Sequence, residues 1–374
     1  MRIKDYLCEE IRNEKIRTMK NPFKFGSAVD GVHFTDRADE LRQVLGVLSS
    51  DNHLIVISPR RYGKTSLVLK AVSLASRPSI IVNLQAITSP EELGSMMLKR
   101  LFKLFPYERI KHLVKHFRFI PTLSVNPMTD GVDVTFQPTV DTQTMLEDVL
   151  SLVDELGEKQ KLIVVMDEFQ DIVQIGKDMD KRLRSIMQLQ RHVNYVFLGS
   201  EESMMEEIFE RKRSPFYHFG LMMRLKKIPW DDFKSYVESN LRPLAGEESG
   251  ELAGGVLSFT RCHPYYTQQL SFQVWNKLEQ GDKGGDIVSE AVSDLTEMHD
   301  YDYERLWVRM NKTDKKVMMM LARGERPLDS SSPLAASTAF SAVKRLVKQG
   351  YVVKDSTYEI DDPFFANWIV VHTS

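Results

Sequence analysis

A short apolar strand, a glycine-containing loop and an apolar-periodic helix follow one another near the start of the chain, and this unit restricts the fold most strongly. The run LIVIS (54–58) predicts a buried strand, and TSLVLKAVSLA has the spacing of a helix. The loop between them, SPRRYGKTS (58–66), ends in Gly63, Lys64 and Thr65. Phosphate binding needs curled backbone N–H groups, a helix N-terminus, a lysine and a hydroxyl for magnesium. The sequence therefore predicts a phosphate-binding loop, with an ordinary strand-to-helix turn as the alternative.

The loop departs from the strict phosphate-loop pattern at its first position, where serine replaces the usual glycine. We still expect the whole segment to surround a nucleotide phosphate, with Lys64 on the outer phosphates and Thr65 on Mg²⁺. The residues expected to line this site are Ser58, Pro59, Arg60, Arg61, Tyr62, Gly63, Lys64, Thr65 and Ser66.

Two acids follow a second apolar strand and predict the other half of the site. Asp167 and Glu168 come directly after LIVVM (162–166). Asp167 is assigned to magnesium through a water and Glu168 to the general base that activates water. Taken alone, the pair is equally consistent with a charged turn.

Ser200 ends NYVFLGS and would lie beside the γ-phosphate if its strand lies between the other two; a simple turn is the alternative.

The order of elements predicts an α/β fold. Strands at SIIVNLQAI, KLIVVMDEFQDI and NYVFLGS alternate with helical segments, which predicts a parallel sheet covered on both faces. An inserted β-hairpin is expected near 121–138, where Thr129-Asp130-Gly131 separates two alternating runs.

Four segments are expected. Residues 1–20 form a short helix or loose arm, and 21–228 form the α/β core. Residues 229–300 are helical throughout, as a lid domain would be. From 301 to 374, the order helix, turn, helix and two short strands is that of a winged helix-turn-helix.

Composition excludes several classes of protein. The 374 residues carry 50 Lys+Arg against 52 Asp+Glu, a net charge of −2, so nothing indicates a uniformly basic nucleic-acid-binding surface. The two cysteines, Cys8 and Cys262, are far apart and form no metal motif. Apolar runs fall far short of the roughly 20 residues that span a bilayer. The charged N-terminus lacks the apolar region of a secretory signal, so we expect a cytoplasmic location and no membrane partner.

Several motifs in order resemble the prokaryotic AAA+-like ATPases of the STAND group, typified by the archaeal ATPase domain. They are FGSAVDGVHFTDRADEL, PRRYGKTSL, VVMDEFQDI, FLGSEESMM, RSPFY, CHPYYTQQL and a terminal DDPFFANWI. The resemblance spans about residues 21 to 370. It implies a P-loop core that binds ATP with Mg²⁺, a helical lid and a C-terminal winged helix.

The resemblance also implies roles for individual residues. Lys64 and Thr65 correspond to the Walker A residues, Asp167 and Glu168 to the Walker B acids, and Ser200 to the sensor on the fourth strand.

Two further pairs of residues gain roles from the same resemblance. His263 and Pro264 look like the lid motif, which would bring His263 towards the phosphates; helix capping or packing is the alternative. Phe34 and Arg37 are expected near the adenine, with a surface loop as the alternative.

One departure concerns catalysis. Relatives commonly have Tyr-Gly-Arg where this chain has Phe219-Gly220-Leu221, so an arginine that could offset charge on the transferred phosphate is absent. Arg211, Arg213 and Arg224 could substitute, although solvated or packing roles suit each of them as well. We therefore expect turnover that is slow or depends on a partner.

The tail from Tyr301 has 11 Lys+Arg and 9 Asp+Glu, a net charge of only +2. Lys344, Arg345 and Lys348 cluster where a recognition helix would end and could neutralise DNA phosphates. Cations near the end of a helix also complement its dipole, which is the alternative.

The first hypothesis is a magnesium-dependent ATPase acting as a nucleotide-controlled switch that binds ATP and ADP. The alternatives are a nucleotide-gated regulator that binds duplex DNA and a protein-interaction adaptor, with little or no hydrolysis. The motifs leave the oligomeric state open.

Overall fold

The fold was established from a computed structural model. It describes residues 20–27, 37–126, 131–136, 141–282, 286–330, 332–355 and 357–373. The expected arm at 1–19 and Phe34 lie outside these residues. The described chain divides into two compact units: the first holds residues 37–228 and 344–355, and the second holds 20–27, 229–343 and 357–373.

Secondary structure alternates between strands and helices in the first unit. In chain order its elements are α1 (Ala38–Leu48), β1 (Leu54–Ile57), α2 (Lys64–Ala75), β2 (Ser79–Asn83), α3 (Pro90–Leu104), α4 (Tyr107–Val114), β3 (Thr122–Asn126), β4 (Gly131–Thr135), α5 (Thr142–Gly157), β5 (Leu162–Asp167), α6 (Ile172–Ile175), α7 (Met179–Met187), β6 (Val193–Gly199), α8 (Glu202–Phe209) and β7 (Leu221–Arg224).

The remaining elements follow Pro229. They are α9 (Trp230–Ala245), α10 (Ser249–Thr260), α11 (Pro264–Glu279), α12 (Ile287–Met298), α13 (Asp300–Arg309), α14 (Lys312–Ala322), α15 (Ala336–Lys348), β8 (Val352–Lys354), β9 (Tyr358–Ile360) and α16 (Pro363–Thr373).

The central sheet has five parallel strands in the order β2-β5-β6-β1-β7. The α/β fold with a parallel sheet, which the alternation of strands and helices predicts, is confirmed. The edge strand β7 was not predicted, because it has only four residues and three of them are wholly or partly exposed. Its apolar run, Leu221 to Met223, has only three residues, which is too short to mark a strand.

Both faces of the sheet are buried, and successive residues of each strand point to opposite faces. On β1, Ile55 and Ile57 join the core that includes α3, α5 and α7. Leu54 and Val56 join a second core that includes α1 and α2. Burial on both faces explains why these strands have continuous apolar sequences rather than alternating ones.

Local signals fix the start of α3. Before α3, the Ser89 hydroxyl accepts a hydrogen bond from the N–H of Glu92, and the Glu92 carboxylate accepts one from the N–H of Thr88. This reciprocal arrangement is a capping box, and Pro90 occupies the first helical position. The predicted hairpin is also present, since β3 and β4 pair antiparallel, although 127–130 and 137–138 lie outside the described residues.

The second unit contains the helices that the pattern after Pro229 predicts. Residues 20–27 pack within this unit rather than within the first, which differs from the expectation that the core begins at residue 21. The reason is aromatic packing: Phe23 contacts Tyr236 and Trp275 edge to face, and Phe25 contacts Phe272 in the same way.

The C-terminal elements α14, α15, β8 and β9 occur in the predicted order. The tail from residue 301 does not form a compact unit separate from 229–300. Across the described part of the chain, no helix is long and apolar enough to cross a membrane.

Candidate functional site

The loop between β1 and α2 has the shape that an anion cradle requires. Arg61 and Gly63 adopt positive φ values of 66° and 87°. A left-handed conformation is accessible to glycine without strain, which explains Gly63. Ser58 has no positive φ, so serine replaces glycine there without backbone strain. Its N–H donates to the carbonyl of Gly199 at 3.3 Å, which anchors the start of the loop to β6.

Helix α2 starts at Lys64 and directs its N-terminus at the loop. No side chain caps this end through a hydrogen bond, and the first turn contains no acidic residue. Uncapped N–H groups and the positive end of the helix dipole attract anions. The start of α2 is therefore suited to a phosphate group.

Lys64 and Thr65 face the two acids that follow β5. The Lys64 side chain is buried, and its Nζ lies 3.5 Å from Oε1 of Glu168. The Thr65 hydroxyl donates to Oδ2 of Asp167 at 3.0 Å. The structure thus brings together the two motifs that the sequence places about one hundred residues apart.

Ser200 joins the same cluster because of the strand order. β6 lies between β5 and β1, as the sensor interpretation of Ser200 requires, and Gly199 is in register with Ile57. The Ser200 hydroxyl donates to Oε2 of Glu168 at 2.6 Å. Three neighbouring parallel strands therefore end at one site, which is where α/β sheets bind ligands.

Glu168 is held more tightly than a surface carboxylate. Its backbone is left-handed, with φ 52° and ψ 49°, a conformation that is rare for residues other than glycine, asparagine and aspartate. Its Oε2 also accepts a hydrogen bond from Nε2 of Gln170 at 2.7 Å. Gln170 is 1% exposed and was missed by the sequence interpretation, although its position in VVMDEFQDI was a usable signal.

The two acids have opposite pKa shifts. Burial raises the pKa of Asp167, and this outweighs the attraction of Lys64 and the Thr65 hydrogen bond. Burial also raises the pKa of Glu168, but Lys64 and the hydrogen bonds from Gln170 and Ser200 together outweigh it, so the pKa is lowered. Glu168 is therefore a carboxylate at neutral pH.

The donor atoms fit a magnesium ion. Thr65 and Asp167 present a hydroxyl and a carboxylate oxygen within 3.0 Å of each other, and Mg²⁺ prefers such hard oxygen ligands. Among the described residues no group of three or more His, Cys, Asp or Glu side chains could hold a metal.

Arg37 contacts the phosphate loop directly. Its buried guanidinium donates to the carbonyl of Tyr62 at 3.0 Å and to the carbonyl of Lys226 at 2.9 Å, and it forms an ion pair with Glu40. These bonds fix the loop backbone. The expected contact of Arg37 with adenine stays a prediction.

His263 belongs to the second unit, together with Pro264, the first residue of α11. The imidazole Nδ1 accepts hydrogen bonds from the N–H groups of Tyr265 and Tyr266 at 3.2 and 3.5 Å, so the ring caps α11. Its Nε2 lies 3.5 Å from Oδ1 of Asp361. Helix capping, the alternative raised by the sequence, is thus observed, and an approach to the phosphates stays a prediction.

Position 221, where relatives commonly have an arginine, lies at the end of the sheet that is far from the phosphate loop. Leu221 is in register with Leu54 at the start of β1, about 10 Å along the strand from the phosphate loop. Arg224 is in register with Ile57 at the loop end, but it forms ion pairs with Glu206 and Glu210 on or next to α8.

Arg211, another arginine that could take this role, forms an ion pair with Glu207. Leu221 itself lies at the end of β7 away from the phosphate loop.

Comparison with known proteins agrees with the geometry. A family model described as an ATPase domain predominantly from Archaea matches residues 34–253. The Walker-type ATPase PABY2304 of Pyrococcus abyssi superposes with a TM-score of 0.67 at 17% identity, covering 93% of this chain and 99% of that chain. The Aeropyrum pernix ORC2 protein, in ADPNP–ADP complexes, has a TM-score of 0.54 at 14% identity, covering 94% of this chain and 99% of that chain.

Identities this low establish a likeness of fold alone, and comparison with curated protein sequences gave no match. The family model, in contrast, covers well over half of the chain and includes the phosphate loop, both strand-end acids and Ser200. The chain therefore belongs to the family of ATPase domains found predominantly in Archaea.

Proposed function

We propose that this protein hydrolyses ATP in a Mg²⁺-dependent manner and acts as a nucleotide-controlled switch. The observation that carries the proposal is the meeting of Lys64, Glu168 and Ser200 at the ends of three adjacent strands. This combination provides a cation for phosphate, a carboxylate for water and a hydroxyl that orients the carboxylate.

In the proposed complex, the loop N–H groups and Lys64 bind the β- and γ-phosphates. Thr65 and Asp167 hold Mg²⁺, which when bound neutralises charge that develops on the phosphates. Glu168 accepts a proton from the water that attacks the γ-phosphate. The bonds from Ser200 and Gln170 to Oε2 leave Oε1 as the oxygen that faces Lys64.

The switch consists of a change of partner at Lys64. In the structure its ammonium lies 3.5 Å from Oε1 of Glu168. A bound γ-phosphate competes for the same ammonium, so nucleotide binding releases Oε1 to orient water. Hydrolysis and phosphate release restore the original pair, and the state of this pair is the signal to the rest of the chain.

The proposal extends to the rest of the chain. Residues 229–300 act as the lid, with His263 approaching the nucleotide, and 301–374 act as a winged helix that contacts duplex DNA or a protein. Membership of the STAND group, slow or partner-dependent turnover and a cytoplasmic location belong to the same proposal. The ORC2 structure with ADPNP and ADP supports the use of an adenine nucleotide by analogy of fold.

A comparison of Glu168→Gln with a matched variant tests the chemistry. Glu201→Gln removes a neighbouring carboxylate at the same edge of the sheet that forms no described bond with Lys64. We expect E168Q to bind ATP with Mg²⁺ and to lose about 100-fold or more in turnover, the range for a lost general base, while E201Q stays near wild type. Equal turnover in E168Q and E201Q would exclude Glu168 as the base.

A further inference from the structure

A cavity of about 960 Å³ opens in the second unit between α10, α12 and α16. On α10 its lining runs from Glu251 to Phe259, and on α12 it runs from Val288 to Glu297. At 1.5 Å per residue these stretches are about 12 and about 14 Å long, or between two and three helical turns each. The cavity, here the acid-rimmed groove, is therefore elongated along two helices.

The floor of the groove is mostly apolar. Leu252, Val292 and Trp368 line it and are 6%, 8% and 4% exposed, and the fourth buried residue of the lining, Thr296, is polar. The groove opens outward because the neighbouring lining positions on α12, Ser289 and Ser293, carry small exposed side chains. An elongated apolar floor with small residues beside it is a surface that accepts large apolar side chains from outside.

The two long helices approach each other closely within the lining itself. A Cβ added at Gly255 on α10 would lie 3.4 Å from Cγ2 of Val288 on α12, so a glycine allows the helices to approach closely there. The groove is thus lined by two helices that approach each other closely, and α16 forms its third side.

The rim carries unbalanced negative charge. Glu248, Glu251 and Glu297 line the groove and form no ion pair with any described residue. Asp300 accepts a hydrogen bond from Nε1 of Trp368 at 2.6 Å. His372, whose Nε2 lies 3.5 Å from Asp300, is the one basic residue of the lining. Three carboxylates without partners around an apolar floor favour a cationic ligand and repel nucleic acid or phosphate.

We propose that the acid-rimmed groove binds an amphipathic helix of a partner protein. Leucine- or isoleucine-type side chains of that helix cover Leu252, Val292 and Trp368, and its lysines or arginines pair with Glu248, Glu251 and Glu297. A helix that presents apolar side chains at i, i+3, i+4 and i+7 covers about two turns, which matches the length of the floor. The lining belongs wholly to the second unit, so the inference does not depend on ATP hydrolysis.

A displayed library of helical peptides provides the probe. Apolar residues occupy the i, i+3, i+4 and i+7 positions, and Lys, Arg, Glu, Asp or Gln vary at the others. Selection uses the full-length wild-type chain, with counter-selection against Ser293→Trp, which places an indole over the floor from an exposed position. We expect the selected peptides to have a net positive charge.

The affinity of one selected peptide is then measured by fluorescence anisotropy. We expect about a tenfold or greater loss for S293W and for the double variant Glu248→Lys with Glu251→Lys. A double variant of exposed acids outside the groove, Glu279→Lys with Glu304→Lys, has the same net charge and should bind within about twofold of wild type. Circular dichroism checks that each variant is folded. If S293W is not folded, the comparison of the two double charge variants still decides the test.

Three results would overturn the proposal. They are a selection that yields no groove-dependent peptide, selected peptides that are acidic, and equal losses in the rim and control double variants. Concentration-dependent self-association that S293W abolishes would also overturn it, because the occupant would then be a second copy of the chain.

Discussion

Removal of the Ser200 hydroxyl is expected to slow ATP hydrolysis without weakening nucleotide binding. The hydroxyl donates to Oε2 of Glu168 at 2.6 Å, and Ser200 is buried. In Ser200→Ala, a water that took over this hydrogen bond would have to be ordered in a buried position, which costs free energy. The carboxylate then keeps one neutral donor, Nε2 of Gln170 at 2.7 Å. Glu168 should therefore be oriented less well towards the attacking water.

The size of the effect follows from the kind of bond that is lost. A hydrogen bond to a charged group contributes about 1.5–3 kcal/mol. Because Gln170 still donates to the same oxygen, the lower end applies, and 1.4 kcal/mol corresponds to about a tenfold change in rate. We expect kcat to fall about tenfold, with KM close to the wild-type value.

The assay is steady-state phosphate release at saturating ATP and Mg²⁺. Ser214→Ala, which removes a hydroxyl bonded to the Ile208 carbonyl in the same unit, is the matched control and should keep wild-type kcat. Ser200→Thr retains a hydroxyl and should recover part of the rate. In a Glu168→Gln background, Ser200→Ala should have little further effect if the hydroxyl acts through the carboxylate.

Either of two results would refute this reasoning. One is an S200A variant with wild-type kcat. The other is a tenfold loss that persists in full in the E168Q background, since Ser200 would then act independently of Glu168.

Three further predictions concern pH, the loop and DNA. Burial together with Arg184 and Lys161 lowers the pKa of His53 from 6.5 to about 4. Its contribution to stability is therefore complete above pH 6.5 and is lost as pH falls towards 4, up to about 3 kcal/mol. Urea unfolding between pH 7 and pH 4 should show a smaller loss in His53→Gln than in wild type, and parallel profiles would contradict this. Gly63→Ala places a Cβ at φ 87°, which costs about 1–2 kcal/mol. If the loop keeps this shape, the free energy of unfolding in urea should fall by that amount; if the loop relaxes without nucleotide, a fluorescent ATP analogue should instead bind about 5- to 30-fold more weakly. No change in either quantity would be inconsistent with this loop shape. If duplex DNA binds the end of α15, neutralising Lys344, Arg345 and Lys348 in the full chain should weaken a gel shift and reduce its salt dependence, and no shift by wild type at low salt would remove DNA as a partner.

The sequence predicted the parts of the fold that local patterns encode. Apolar runs at β1, β5 and β6 are continuous because both faces of the sheet are buried, so they were recognisable as parallel strands. The edge strand β7 was missed, because its apolar run has only three residues and just one residue of the strand is buried.

The candidate site was predictable where one residue type is chemically required. Gly63, Lys64 and the acids after β5 belong to motifs whose chemistry allows few alternatives. The contacts between them depend on strand order, which no local pattern encodes. The bond from Gln170 to Glu168 and the bonds from Arg37 to the loop carbonyls could be found only from the structure.

The unit in which residues 20–27 pack could not be predicted from local sequence patterns. Residues 20–27 precede the core in sequence but pack against α11, since Phe23 and Phe25 find aromatic partners there. Long-range aromatic packing of this kind has no sequence signature.

Steady-state ATP hydrolysis with Mg²⁺ by the wild type, Lys64→Ala and Lys70→Ala tests the central claim most directly. Lys70 lies on α2 outside the site and provides the matched loss of charge. We expect turnover by the wild type and K70A and a loss of about 100-fold or more in K64A, because the proposed complex uses Lys64, the cation beside Glu168, to bind the phosphates. Equal turnover by K64A and K70A would contradict the assignment of residues 58–66, and absence of turnover by a wild type that binds ATP would contradict hydrolysis.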